Sequence, residues 1–284
     1  MNIGLAQLVA LTSHGNCVLH GIASHGSVDL AQNSSFQRVR EVSFTKRRSH
    51  DDVRLCSQNV ADTVTEWYAL LRAEGVVRLA LARTRSGRRS LLRLFEAGPF
   101  IREEQGAIVA AFNNGKTERW LPEWRVVDGH AADRRIWSVA YRASRRPLVN
   151  RFRKFTPAAA AAILDVVLQE TADFASLNGM DSWVPWFERA GRVLRGEELT
   201  PPFFPDLLPA IGYSSDARQL LNACIAAWPF GGMGSWNDDV PNSRSAKGRY
   251  HAVSRHLYVT LMNGIVAATN AFEAPAAADR RART

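Results

Sequence analysis

The chain has 284 residues, of which 46% are hydrophobic and 22% are charged, and its formal net charge is +9. This balance excludes collagen-like, low-complexity and fully disordered chains, and it is typical of a globular protein with one large or two modest domains. Only three cysteines occur, Cys17, Cys56 and Cys224, and the first basic residue is Arg38. We therefore expect a cytoplasmic protein without disulfides, signal peptide or membrane span.

The positive charge is concentrated in the first part of the chain. Residues 1–154 carry 25 basic and 14 acidic side chains, whereas residues 155–284 carry 11 and 13. This asymmetry indicates two units of different electrostatic character. We expect a basic α+β domain over residues 1–150, a helical domain over residues 155–272 and a disordered tail over residues 273–284.

The first half is predicted to be rich in short strands. Residues 1–60 show little periodicity, and the first predicted element is a helix over residues 59–74 that Gly75 ends. Aromatic and β-branched runs follow, separated by turn pairs such as Asn114-Gly115, which favour antiparallel hairpins. The predicted strands are residues 76–82, 90–95, 107–112, 119–127 and 135–141.

The second half is predicted to be helical. Thr156 and Pro157 have the chemistry of an N-cap and a first helical position, and Asn178-Gly179 ends this helix. Further helices follow near residues 183–195, 216–228 and 253–265, each with an apolar stripe. The predicted fold class is therefore α+β, with an antiparallel β-rich amino-terminal half followed by a helical carboxy-terminal half. The predicted helical core contains Trp183, Trp186, Phe187, Leu221, Ile225, Leu257 and Leu261, and Ile163 is predicted to point inward from the first of these helices.

Residues 110–117 match a relaxed phosphate-binding loop with alanine in the first glycine position. A phosphate cradle needs a helix directly after the loop, because the helix amides face the anion. Residues 118–124 contain Leu121-Pro122 and are predicted to form a strand instead. An Asn-Gly hairpin turn is the preferred interpretation, and we predict no cofactor.

Histidine and cysteine gather near the amino terminus, and these residue types can bind zinc. Structural zinc sites usually pair two tight ligand couples across a longer loop, whereas this stretch is apolar and glycine-containing with loose spacing. We therefore expect a buried cysteine and surface histidines rather than a metal site. The candidate metal ligands are His14, Cys17, His20 and His25.

Residues 119–154 alternate arginine with aromatic residues. Arginines that neutralise phosphates beside rings that stack on bases are typical of a nucleic-acid-binding surface. The same alternation arises when one face of each strand is core and the other meets water, and this is the preferred interpretation. The candidate nucleic-acid-binding residues are Arg119, Arg125, Arg134, Arg135, Arg142, Arg145, Arg146, Arg151 and Arg153.

Residues 230–238 read Phe-Gly-Gly-Met-Gly-Ser-Trp-Asn-Asp. Glycines permit positive φ, and we expect Gly231 or Gly232 to end the preceding helix in a left-handed conformation. Trp236 is expected to pack on the last helix near Tyr258 or Met262. This segment is predicted to be a structural motif, formed by Gly231, Gly232, Gly234, Trp236 and Asn237.

Residues 220–239, together with the helix end at residues 258–270, resemble a small family of uncharacterised bacterial proteins that carry this motif. The resemblance covers about the last 90 residues of the chain. It implies a helical domain in a bacterial protein, and it implies no activity. The sequence departs from the family after the motif, where residues 239–248 are polar and rich in arginine.

No catalytic set stands out, which leaves three functional hypotheses. The preferred one is a non-enzymatic protein-interaction factor, of accessory or immunity type, with one protein partner. The second is nucleic-acid binding through residues 119–154. The third is an enzyme with Asp238, Asp239 and His251 as acid–base candidates. One continuous basic face favours the second, scattered arginines favour the first, and a pocket with Asp238 and His251 favours the third.

Overall fold

The computed structural model describes residues 1–22, 30–48, 56–83, 106–144, 155–199, 203–231, 234–241 and 243–275. They form a six-stranded sheet and α-helices, with the strands in the first half, so the α+β class is confirmed. The strands are β1 (Val39–Arg48), β2 (Cys56–Ala61), β3 (Val76–Ala82), β4 (Ala107–Phe112), β5 (Thr117–Val126) and β6 (Trp137–Ser144). The helices are α1 (Ile3–Leu19), α2 (Val64–Ala73), α3 (Pro157–Leu177), α4 (Val184–Arg195), α5 (Ser215–Ala226) and α6 (Arg244–Asn270).

The sheet is mixed, with strand order β2-β1-β6-β5-β4-β3. All neighbouring pairs are antiparallel except β1 and β6, which are parallel. The prediction of a purely antiparallel sheet is therefore wrong at this pair, because turn residues specify only the strands that they join directly. The predicted strand at residues 90–95 lies outside the described residues.

The turn between β4 and β5 confirms the predicted Asn-Gly hairpin. Gly115 adopts a φ of 79°, and its N–H donates to the carbonyl of Phe112 at 3.0 Å. The Asn114 side chain accepts from the N–H of Lys116 at 3.0 Å. A strand follows this turn, so residues 110–117 lack the helix that a phosphate-binding loop requires.

Helix α2 is shorter than the predicted helix over residues 59–74. It begins after Thr63, whose side chain accepts from the N–H of Glu66 at 3.2 Å, and Gly75 follows it with a φ of 82°. The residues before Thr63 belong to strand β2. The prediction was wrong there because the four-residue spacing of Val60 and Val64 matches one face of a helix. In the structure, Val60 belongs to strand β2 and Val64 begins helix α2.

Helix α1 lies where no element was predicted, and it is buried on almost every side. Close packing requires Gly15, since a Cβ there would lie 2.5 Å from Leu79 and 2.7 Å from Tyr68. The buried polar side chain of Gln7 finds its hydrogen-bond partners far away in the sequence. It donates to the carbonyl of Ser35 and accepts from the hydroxyl of Tyr141, both at 2.9 Å. A helix buried all round has no amphipathic period, so periodicity does not detect it.

Helix α1 also joins the sheet to the helical half. His14 Nε2 donates to the carbonyl of Asp206 at 2.9 Å, and Ser13 donates to the carbonyl of Leu207. Buried residues from both halves belong to one continuous hydrophobic cluster. The division into two domains stays a prediction. Within the described ranges, no helix has both the length and the apolar character needed to cross a membrane.

The start and end of α3 agree with the sequence prediction. Thr156 caps it by accepting from the N–H of Ala159 at 3.2 Å, and Asn178-Gly179 ends it, with a φ of 69° at Gly179. Its predicted inward face is wrong at Ile163, which is 40% exposed.

The predicted buried face of α4 is wrong at Trp186, which is 44% exposed. Trp183 belongs to a separate 3-10 turn before α4, so a helical wheel started at Trp183 misplaces Trp186, whereas the predicted burial of Phe187, Ala190 and Val193 is confirmed. The buried face of α4 is centred on Phe187, Ala190 and Val193.

Candidate functional site

Residues 234–238 of the glycine-rich segment form a turn that their own hydrogen bonds hold together. The Asp238 carboxylate accepts from the N–H of Gly234 at 2.7 Å and of Ser235 at 3.3 Å, and Gly234 has a φ of 79°. Helix α5 ends before this segment, at its C-cap Ala227, whose backbone is in the right-handed region. Gly231 does not have a positive φ. The expected helix end at Gly231 is therefore wrong, and Gly232 lies outside the described residues.

Trp236 anchors this segment to α6. Its side chain is fully buried, its Nε1 donates to Ser254 Oγ at 2.7 Å, and its ring stacks on Tyr250 with centroids 5.4 Å apart. The Tyr250 hydroxyl donates to the carbonyl of Trp236 at 2.5 Å, and burial raises the pKa of this hydroxyl. Packing on α6 was expected, but the contact lies towards its beginning rather than at Tyr258. Asn237 adds a buried Oδ1 without a hydrogen-bond partner.

Two of the three acid–base candidates have structural partners. Asp238 holds the glycine-rich turn, and Asp239 Oδ2 accepts from Trp183 Nε1 at 2.9 Å. His251 has a buried Nδ1 without a hydrogen-bond partner. A groove of about 270 Å³ lies between α3 and α4, and none of these three residues lines it. Its lining includes Asp165, Gln169, Phe187, Gly191, Arg195 and Glu197.

The candidate metal ligands face different partners. Cys17 Sγ lies 3.6 Å from the carbonyl of Ile211, and the His20 ring packs on Phe272 at 5.1 Å between centroids. Burial lowers the pKa of His14 and raises the pKa of Cys17 to about 11. His25 lies outside the described residues, and across the described ones no group of three His, Cys, Asp or Glu side chains could hold a metal ion.

The aromatic rings and the arginines of β5 and β6 lie on opposite faces of the sheet. Trp120 and Tyr141 are fully buried on the side of α1 and α2, where Phe44 stacks on Trp67 of α2 at 4.4 Å. Strand alternation puts the odd-numbered residues of β5 and the even-numbered residues of β6 on the other side. We call this side the open face; it includes Arg119, Leu121, Glu123 and Arg125 of β5 and Ser138, Ala140 and Arg142 of β6.

Glu123 organises the arginines of the open face. Its Oε2 lies 2.6 Å from Arg142 Nε, and its Oε1 lies 3.8 Å from Arg125 Nη2. Arg119 Nε is buried and has no hydrogen-bond partner. One carboxylate therefore lies beside two of the three arginines. Sequence reasoning did not single out Glu123, although its two-residue spacing from Arg125 already indicated a shared face.

The arginines outside the open face have other surroundings. Arg134 and Arg135 are exposed in the turn between β5 and β6, where Asp133 accepts from the N–H of Arg135 at 3.0 Å. In the helical half, Arg195 contacts Asp165 at 2.8 Å and Glu197 at 2.8 Å. The remaining candidates, Arg145, Arg146, Arg151 and Arg153, lie outside the described residues.

Comparison of the chain with protein-family models, with characterised proteins and with solved structures finds no match. The resemblance of residues 220–239 to a bacterial family therefore stays a prediction.

Proposed function

We propose that this protein binds nucleic acid through the open face of its sheet. The observation that supports the proposal is the common face of Arg119, Arg125 and Arg142, which are spread over two strands. Guanidinium groups bind phosphates in fork geometry, so three on one surface suit a polyanionic backbone.

Charge on the rest of the molecule supports the same choice. The basic surplus of the chain belongs to residues 1–154, which contain the whole sheet. Opposing carboxylates on the open face are few: Glu123 is already engaged with Arg125 and Arg142, and Glu41 lies on the neighbouring strand β1. A net positive surface attracts nucleic acid over about a Debye length.

The direct test is the salt dependence of binding. We expect labelled mixed-sequence oligonucleotides to bind at 50 mM salt, with log affinity falling by about 0.9 per log unit of salt for each phosphate neutralised. Arg125→Gln combined with Arg142→Gln should weaken binding and flatten this slope by about two units. Arg192→Gln, on α4 beside Glu198, is the matched control and should bind like the unmodified protein. Undetectable binding at 50 mM salt contradicts the proposal.

We also propose a cytoplasmic location. Cys17 and Cys224 are both free, buried thiols. Unpaired cysteines are typical of proteins from reducing compartments, where nucleic acid is also present. The cytoplasmic location expected from the cysteines is therefore compatible with nucleic acid as the ligand.

A second proposal is protein binding through the outer side of α3. Ala159, Ile163 and Val166 follow one another at intervals of four and three residues, so they form one stripe. Ile163 is 40% and Val166 is 58% exposed, and residues 157–164 contain no charged side chain. Contiguous exposed apolar surface of this kind marks protein contacts.

Self-association is the first test of this second proposal. We expect a concentration-dependent dimer in sedimentation, or a co-purifying protein, that Ile163→Glu and Val166→Glu both abolish. Ala158→Glu adds the same charge at an exposed position of the same helix outside the stripe and should change neither result. A monomer that retains no protein at any concentration contradicts the proposal.

A further inference from the structure

We infer that the nucleic acid on the open face is a double strand, held by its phosphates; this inference rests on the proposed function and specifies its ligand. Proteins that bind single strands without sequence preference combine a basic groove with aromatic rings on which bases stack. The described residues of the open face supply basic groups and no aromatic rings. Phosphate contact without stacking is the mode in which proteins hold a duplex backbone.

The rings are unavailable because they belong to the opposite side of the sheet. Trp120 and Tyr141 have no exposed surface, and Phe44 of β1 has none either. Trp124 and Trp137 are partly buried, meet edge to face at 6.1 Å, and lie towards α1, where Trp124 comes within 3.5 Å of the Cβ position of Gly4. A base on the open face therefore finds no described aromatic partner from these strands.

The arginines form two contact points far apart on the face. Arg119 and Arg125 are six residues apart on β5, which corresponds to about 20 Å along an extended strand. Arg142 is in register with Leu121, and its Nε lies 2.6 Å from Glu123 Oε2. The other oxygen of that carboxylate lies 3.8 Å from Arg125, so Arg142 and Arg125 form one contact point and Arg119 forms the other. A ligand has to present phosphates at both points at once.

A duplex meets this requirement without being ordered by the protein. Its persistence length is about 50 nm, so it is straight over the distance between the two contact points. It also presents one charge per about 1.7 Å of axis. A single strand is flexible, and the described residues of the face offer no stacking partner that would hold it extended between the same points.

Small residues lie beside two of the three arginines. Ser138 of β6 lies opposite Arg125, Ala140 lies between Ser138 and Arg142, and Ser43 of β1 pairs with Ala140. The side chains of Arg125 and Arg142 remain 71% and 46% exposed. The exposed guanidinium groups of Arg125 and Arg142 therefore border small side chains on β6 and β1, whereas Leu121 and Glu123 lie between Arg119 and Arg125 on β5 itself.

The test compares one labelled 20-nucleotide strand with its own duplex by fluorescence anisotropy. We expect the duplex to bind the full-length protein at least 10-fold more tightly than the strand at 50 mM salt. Arg119→Gln combined with Arg142→Gln should lower the slope of log affinity against log salt for the duplex by about two. Arg189→Gln, on α4 in the helical half, is the control and should leave the slope unchanged.

The two proposals fail in different ways. Equal or tighter binding of the single strand overturns the duplex inference and leaves nucleic-acid binding intact. Absence of binding by either form overturns both. A thermal melt confirms that the variants fold, and Arg125→Gln, at an exposed side chain, replaces the double variant if that one does not fold. The comparison of strand and duplex with the unmodified protein decides the inference in either case.

Discussion

Asn16 and Asn270 pair with the backbone of the same edge strand, two residues apart. Asn16, in α1, donates to the carbonyl of Leu79 at 2.9 Å and accepts from its N–H at 2.8 Å. Asn270, at the end of α6, does the same for Leu81, at 2.9 and 2.7 Å. Two side chains from opposite ends of the chain thus replace a neighbouring strand and block the free edge of β3.

Removing these amides should destabilise the protein unequally. Asn16 is fully buried, so Asn16→Ala leaves the N–H and the carbonyl of Leu79 unpaired away from water, and we expect a loss of about 2–3 kcal/mol. Asn270 is only half-buried, so water replaces part of its role and Asn270→Ala should cost less. Urea denaturation measures both. Losses below about 1 kcal/mol for Asn16→Ala contradict the edge-capping role.

Two adjacent aromatic residues on α4 should differ strongly in their contribution to stability. Phe187 is fully buried and meets Trp236 edge to face at 5.3 Å, so Phe187→Ala should cost about 3–5 kcal/mol. Trp186 is 44% exposed and contacts Trp183 at 5.8 Å, so Trp186→Ala should cost less than about 1.5 kcal/mol. Chemical denaturation of the two variants compares them directly. A larger loss for Trp186→Ala restores the face predicted from the sequence.

The glycine-rich turn offers a matched pair of substitutions. Gly234 has a φ of 79°, so Gly234→Ala forces a side chain into the left-handed region and should cost about 1–2 kcal/mol. At Gly231 the added Cβ meets only Ser235 Cβ at 3.8 Å, and Gly231→Ala should be nearly neutral. Thermal melts of both variants test this difference. Equal losses of stability in Gly234→Ala and Gly231→Ala would contradict a positive φ requirement at Gly234.

The sequence predicts the fold best where capping and amphipathic spacing are local. Thr156 and Gly115 mark the start of α3 and the β4–β5 turn, and both predictions hold because the residues act on their immediate neighbours. Helix α1 escapes prediction because Gln7 and Asn16 find their partners 28 and 63 residues away. Parallel pairing of β1 with β6 is equally non-local.

The candidate site is predictable from the sequence only where it depends on local alternation along one strand. Alternation along β5 puts Arg119 and Arg125 on one face and Trp120 on the other, and this follows from a strand assignment alone. A strand assignment does not predict which face of the sheet the helices cover, because that depends on how α1 and α2 pack. The pairing of Glu123 with Arg142 depends on the register between β5 and β6.

His14 should make the stability of the protein depend on pH on the acid side of neutrality. A carbonyl oxygen only accepts, so the 2.9 Å contact with Asp206 requires a proton on His14 Nε2. Burial lowers the pKa of His14 in the folded protein, and this outweighs the opposing effects of the hydrogen bond and charge of Asp206. Below an unfolded pKa of about 6.5, the unfolded chain therefore binds more protons than the folded chain.

The free energy of unfolding should consequently fall as the pH drops through this window, by at most about 1.4 kcal/mol per pH unit for one proton. His14→Gln removes the titrating group, so its stability should change less between pH 7 and pH 5, whatever its stability at pH 7. Urea denaturation at several pH values gives the slopes. His130→Gln, at an exposed turn, is the control and should keep the original slope. If His14→Gln keeps it as well, another group causes the acid loss of stability.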